Sequence, residues 1–173
     1  MVSLDDVLND ARIDGEERLP NGVWLIKPAP EIGPKAWMHI TYPPLSESEL
    51  AAIENQLHRR FPLQMQKFFR RFNGLSLFGR QLTIWGKRKD YIRQGPDAWQ
   101  PFDIVEHNAP GERPSGSPYS VLYFGSSDQG ANRLYLDDEA IGRTSSERYE
   151  PEDTWPDFES FFNSELARLA ANS

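Results

Sequence analysis

The chain has 173 residues, no cysteine and a formal net charge of −7 at pH 7. That length suits one domain, with room for a short extra arm and a core large enough to need no metal or disulfide staple. The missing cysteines exclude thiol catalysis, thiolate metal sites and disulfides, a composition at home in a reducing cytosol.

The opening residues, MVSLDDVLND, are acidic where a secretion signal is basic and then apolar. The longest apolar runs, VWLI and VLYF, are too short to span a bilayer, so a cytoplasmic domain is expected. Ser3 precedes Leu4, Val7, Leu8 and Ala11 at helical spacing, which predicts a short capped helix. VWLIKP and AWMHITY, joined by a proline-rich connector, predict two strands, the second stopped by Pro43 and Pro44.

The clearest helical signal follows. In LSESELAAIENQLHRRF, Ser46 and Glu49 form a capping box, Leu45 is placed to staple onto Leu50, and Ile53, Leu57 and Phe61 continue the period. Pro62 stands at the first turn of a second helix whose Met65, Phe68, Phe69 and Phe72 share a face, and Asn73-Gly74 is expected to end it. LSLFG and RQLTIWG predict short strands, and SVLYFGSSDQGANRLYLDD predicts two more around a Gly125-to-Gly130 turn. The polar loop HNAPGERPSGSPYS is expected to be mobile. WPDFESFFNSELARLA closes the chain as a helix with Phe158, Phe161, Phe162, Leu166 and Leu169 on one side. Together these predict an α+β fold, a small mixed, mostly antiparallel sheet packed with helices. Residues 1–42 read as an N-terminal arm, helix plus strand, packed on a main domain at 43–173.

Catalytic patterns are incomplete. GSSDQG places Ser127 two residues after Gly125, but Gln129 fills the position where a nucleophile elbow requires its second glycine, so a hairpin turn is expected. His39, His58 and His107 are scattered, with no ligand spacing among them. Asp137, Asp138 and Glu139 lack the spaced oxygens and central glycine of a calcium loop. No catalytic residue, cofactor or metal site is expected.

Charge is distributed in blocks. Residues 58–93 carry net +9, whereas 1–57, 94–133 and 134–173 carry −6, −3 and −7. Arg59, Arg60, Lys67, Arg70, Arg71, Lys87, Arg88 and Lys89 offer contacts for phosphates, but the neighbouring phenylalanines fall at core spacing and are not free to stack on bases. The segment LQMQKFFRRFNG therefore reads as a core helix with a solvated side, and nucleic acid is the less favoured partner.

The stretch LSESELAAIENQLHRRFPLQMQKFFRRFNGLSLFG resembles the signature of the SUKH superfamily, the Smi/Knr-type domains: a capped Glu- and Leu-rich helix, a proline, and an aromatic helix ending in Asn-Gly. The later VLYFGSSDQGANRLYLDDEAIGRTSSERYEPEDTWPDFESFFNSELARLA resembles it too, with a Gly-marked strand, an acidic strand end, Gly142 and a Trp-led final helix. The likeness spans roughly residues 43 to 169. Arg59-Arg60 departs from it, standing where the family often carries a glycine and a small residue, and residues 1–42 have no counterpart. The resemblance implies a mixed α+β domain without catalytic activity. Its bacterial members are taken to be immunity proteins that neutralise polymorphic toxins, many of them nucleases, while fungal relatives act as regulatory binding proteins. On that reading, the partner is a protein, a cognate toxin, met through an acidic surface. The expected contact residues are Asp137, Asp138, Glu139, Glu147, Tyr149, Glu150, Glu152 and Asp153, with Trp155 assigned to the core.

Overall fold

The computed structural model describes residues 1–173. Nine strands join in one sheet in chain order: β1 (Glu16–Arg18), β2 (Trp24–Pro28), β3 (Trp37–Thr41), β4 (Leu75–Leu77), β5 (Leu82–Ile84), β6 (Val121–Ser127), β7 (Asn132–Asp137), β8 (Ala140–Ser145) and β9 (Asp153–Trp155). Every neighbouring pair is antiparallel. The sheet is thus larger than the sequence suggested. β1, β8 and β9 carry no alternating apolar pattern: all of β1 is exposed, and β9 is exposed except for a half-buried Trp155. Residues 1–42 supply β1, β2 and β3 to this sheet, and a helix, α1 (Leu4–Arg12), to its core.

The helix starts follow the caps read from the sequence. Ser3 Oγ accepts the N–H of Asp6 while the Asp6 carboxylate accepts the N–H of Ser3, both at 3.1 Å. Ser46 and Glu49 repeat the exchange at α2 (Glu47–Leu57), at 3.1 and 3.0 Å. Each cap satisfies two otherwise orphaned donors. α2 ends on His58, whose φ of 53° places it in the left-handed region. The corner is then closed by the Glu54 carboxylate, which accepts from the N–H of Phe61 at 2.6 Å and from Gln66 Nε2 at 3.3 Å.

Pro62 caps α3 (Leu63–Phe69), which stops before the expected Asn73-Gly74. That dipeptide instead latches β4 to the end of β5. The Asn73 side chain accepts the N–H of Lys87 at 2.7 Å and donates to its carbonyl at 2.9 Å. Gly74, at φ 78°, lies so close that an added Cβ would stand 2.5 Å from the Ile84 carbonyl oxygen. β6 likewise runs on through Gly125 to Ser127, and only Asp128 to Gly130 make the turn, all three at positive φ.

Aromatic rings join the helices to the sheet. Phe124 of β6 meets Phe158 and Phe161 of α4 (Phe158–Ala171) at 6.0 and 5.8 Å, and Phe68 of α3 meets Phe158 at 5.5 Å. Trp155 packs 5.1 Å from Phe161, the core role expected of it. Beneath them Glu165, 1 % exposed, accepts from Arg143 of β8 at 2.8 Å and Arg168 at 2.7 Å, fastening the last helix to the last strands.

The opposite face is covered by irregular chain. Tyr123 and Tyr135 stand opposite each other on β6 and β7. The loop after residue 107, expected to be mobile, is pinned over them: Ser117 Oγ lies 2.7 Å from the Tyr123 hydroxyl, and Ser115 pairs with the backbone of Glu147 and Tyr149 at 2.8 Å each.

Candidate functional site

An antiparallel meander sends successive turns to opposite ends of the sheet, and this divides the acidic residues grouped by sequence. Asp137 ends β7, and Asp138 and Glu139 form the β7–β8 turn, with Asp138 at φ 59°, a left-handed position that Asp tolerates better than most residues. Glu147, Tyr149, Glu150 and Glu152 belong to the β8–β9 connection, and Asp153 begins β9. The six residues of β8 lie between the two groups, about 17 Å of extended chain.

All seven carboxylates are exposed. Asp153 approaches Arg143 at 3.6 Å and Glu150 approaches Arg148 at 3.6 Å, while Asp137, Asp138, Glu139, Glu147 and Glu152 form no ion pair. Tyr149 is half-buried, its ring 5.5 Å from that of Tyr135. The connection itself is held by Thr144, whose Oγ1 donates to the Arg148 carbonyl at 3.0 Å and accepts the N–H of Glu150 at 2.6 Å. The carboxylates therefore project from a fixed backbone.

The β7–β8 turn has neighbours that the sequence did not place beside it. Arg59, just past the end of α2, donates to the carbonyls of Leu136, at 3.4 Å, and Ser120. Arg59 and Arg60 share a surface hollow with Asp137 and Asp138. Tyr119, 99 % exposed, precedes Ser120 at the start of β6. It sits in the loop Ser117-Pro118-Tyr119-Ser120, and no periodicity marks it.

The basic stretch is dispersed. Arg70 pairs with Glu47 at 2.5 Å, Arg71 with Asp5, and Lys87 with Asp103 at 2.8 Å. Asp103, 1 % exposed, also accepts the backbone N–H groups of Arg88, Val105 and Glu106. Burial alone would raise its pKa, but the Lys87 ammonium and these N–H groups outweigh it and hold the carboxyl below the usual range. Phe68 and Phe69 are buried and offer no stacking face. Arg88 and Lys89 border a cleft of about 500 Å³ that also presents Glu49, Asp90 and Asp97, so its charges alternate.

Ser127 is 1 % exposed, and its Oγ has no hydrogen-bond partner, leaving it without the base a nucleophile needs. The histidines are engaged separately. His39 Nδ1 accepts the N–H of Phe78 at 3.3 Å, and burial, with Lys27 adding a smaller effect, pushes its pKa down to about 4. His107 Nδ1 lies 2.8 Å from the Asp103 carbonyl, with its ring 4.4 Å from Trp85. His58 is the left-handed cap of α2. No group of three or more His, Asp or Glu side chains is placed to hold a metal ion, and no helix is long and apolar enough to cross a membrane.

The SMI1 / KNR4 family (SUKH-1) model matches residues 44–164. No curated protein matches the chain.

Proposed function

The chain belongs to the SMI1 / KNR4 family (SUKH-1), and from that premise we propose that it is a non-enzymatic binding protein, an immunity protein that neutralises a cognate toxin by direct contact. The observation that carries the reading is the set of exposed carboxylates without ion-pair partners at both ends of β8, on a rigid sheet, within a family whose bacterial members resemble such inhibitors. A basic nuclease approaching this surface gains association rate from the field, by roughly 10- to 1,000-fold at low salt. Asp137, Asp138 and Glu139 form the rim of first contact. Glu147, Glu150, Glu152 and Asp153 extend the negative potential past the other end of β8, while Tyr149 braces the connection from which they project. Burial of Ser127 and separation of the three histidines favour binding over hydrolysis.

Co-expression tests this. Cells making an adjacently encoded toxin should grow when this chain is present and stop growing when it is deleted. Continued killing despite abundant folded protein would sink the immunity reading. Capture of a host regulator under those conditions would point instead to a regulatory interaction domain of the same fold.

A further inference from the structure

Across Arg59 from the acidic turn lies a cleft of about 470 Å³, within the usual range for ligand sites of roughly 300–1,000 Å³. Leu57, Val105, Val121 and Leu122 give it an apolar floor, and Arg59 and Arg113 give it positive character. Twelve residues line it and none is Asp or Glu, on a chain that carries 26 of them. A carboxylate-free hollow with two guanidiniums runs against the sign of the whole molecule.

Neutral oxygens hold both arginines. Arg113 Nη2 donates to the carbonyls of Pro118 and Val121 at 2.7 Å each, and Arg59 to those of Leu136 and Ser120. Neither forms an ion pair. Asp137 and Asp138 border Arg59 on its far side, while the Arg113 guanidinium lies over the Tyr123 ring at 5.4 Å and faces no carboxylate in the cleft lining. A separate observation points the same way: Arg113 Nε is buried with no hydrogen-bond partner. Folded chains seldom leave such a donor unpaired, because its desolvation is not repaid. Tyr119 lines the cleft while remaining 99 % exposed.

We propose that this cleft binds an organic carboxylate carried on an apolar body. The carboxylate lies against Arg113 and Arg59, where it completes charge-assisted hydrogen bonds. The apolar body covers Val121 and Leu122, and the Tyr119 ring packs over it. The site does not depend on the acidic-surface reading, since it uses other residues and the opposite charge. A free organic acid and an acidic side chain on a partner peptide present the same group, and the test separates them.

The isotope-labelled full chain is titrated with hydrocinnamate, with the uncharged hydrocinnamide, and with the blocked peptide acetyl-Leu-Asp-Phe-amide, following Arg113 Nε–H and the backbone N–H groups of Ala109, Val121 and Leu122 by NMR. Saturable shifts at these groups are expected, with the uncharged amide at least about tenfold weaker than the acid. Stronger binding of the peptide assigns the carboxylate to a protein partner, and stronger binding of the free acid assigns it to a small molecule. Because Arg113 also pins its own loop, the variant of choice is Ala109→Asp, which sets a carboxylate in the cleft without removing a cation. It should weaken binding by at least about tenfold while the rest of the spectrum is unchanged. Equal binding of the acid and its amide, no saturation by about 10 mM, or unchanged affinity in Ala109→Asp would each overturn the proposal.

Discussion

Gly142 on β8 has an ordinary negative-φ backbone, yet a Cβ built there would fall 2.1 Å from Cζ and 2.2 Å from the hydroxyl of Tyr135. The Tyr135 ring, 4 % exposed, lies across β8 and supports Tyr149 on its other side. Gly142→Ala therefore requires the ring to move, and overpacking of this kind costs about 1–3 kcal/mol. Lost contact with Tyr149 puts the expected value near the top of that range, about 3 kcal/mol. In a Tyr135→Leu background the clashing atoms are absent. There Gly142→Ala should be neutral or stabilising by about 0.5 kcal/mol, since alanine restricts the unfolded chain more than glycine does. Urea denaturation of the four proteins, read as midpoints at constant slope, gives the coupling directly. An equal cost of Gly142→Ala in both backgrounds would refute the argument, because the penalty would then lie in the backbone and not in the ring.

Three further outcomes follow from groups buried elsewhere. His39 is 3 % exposed with its pKa lowered from 6.5 to about 4, so the unfolded state binds its proton first. Its contribution is intact above pH 6.5 and is lost as pH falls toward 4, by up to about 3 kcal/mol. His39→Gln should lack this component when stability is compared with wild type across that window, and identical profiles would contradict the assignment. Glu165→Gln leaves Arg143 with only Asp153 at 3.6 Å and should cost about 3 kcal/mol in chemical denaturation, whereas Arg143→Met combined with Glu165→Leu should recover most of it. Ser127→Ala removes a hydroxyl that has no partner, so stability should stay within about 0.5 kcal/mol of wild type or rise. Toxin neutralisation in cells should be unchanged, and its loss would reopen a catalytic role for Ser127.

Helix starts were legible because capping is local: Ser3 with Asp6 and Ser46 with Glu49 sit three residues apart, where a side chain reaches the backbone it must satisfy. The aromatic face of α4 was legible for a similar reason, its Phe158, Phe161 and Leu166 being fixed by helical period. β1 and β8 were not. Glu16, Glu17 and Arg18 form a strand because β2 offers them a ladder, and the polar residues of β8 are satisfied by partners that no periodicity marks, Thr144 by the backbone of Arg148 and Glu150 and Arg143 by Glu165 of α4. The layout of the candidate surface has a geometric reason. Its eight residues are close in sequence, and β8 carries the chain one strand length between Glu139 and Glu147, which puts them at its two ends. Tyr119 and Arg113 acquire their settings only from tertiary placement, the first by being left in water and the second by being laid over β6.

The most direct test of docking by charge is the association rate with the cognate toxin as a function of ionic strength. Three proteins would be compared: wild type, Asp137→Asn/Asp138→Asn/Glu139→Gln, and Glu147→Gln/Glu150→Gln/Glu152→Gln. The wild-type rate should fall steeply with salt, by about tenfold or more between low and physiological ionic strength, with a flatter dependence in both variants, flattest where the β7–β8 turn is neutralised. A rate indifferent to salt and to both sets of substitutions would contradict docking by charge.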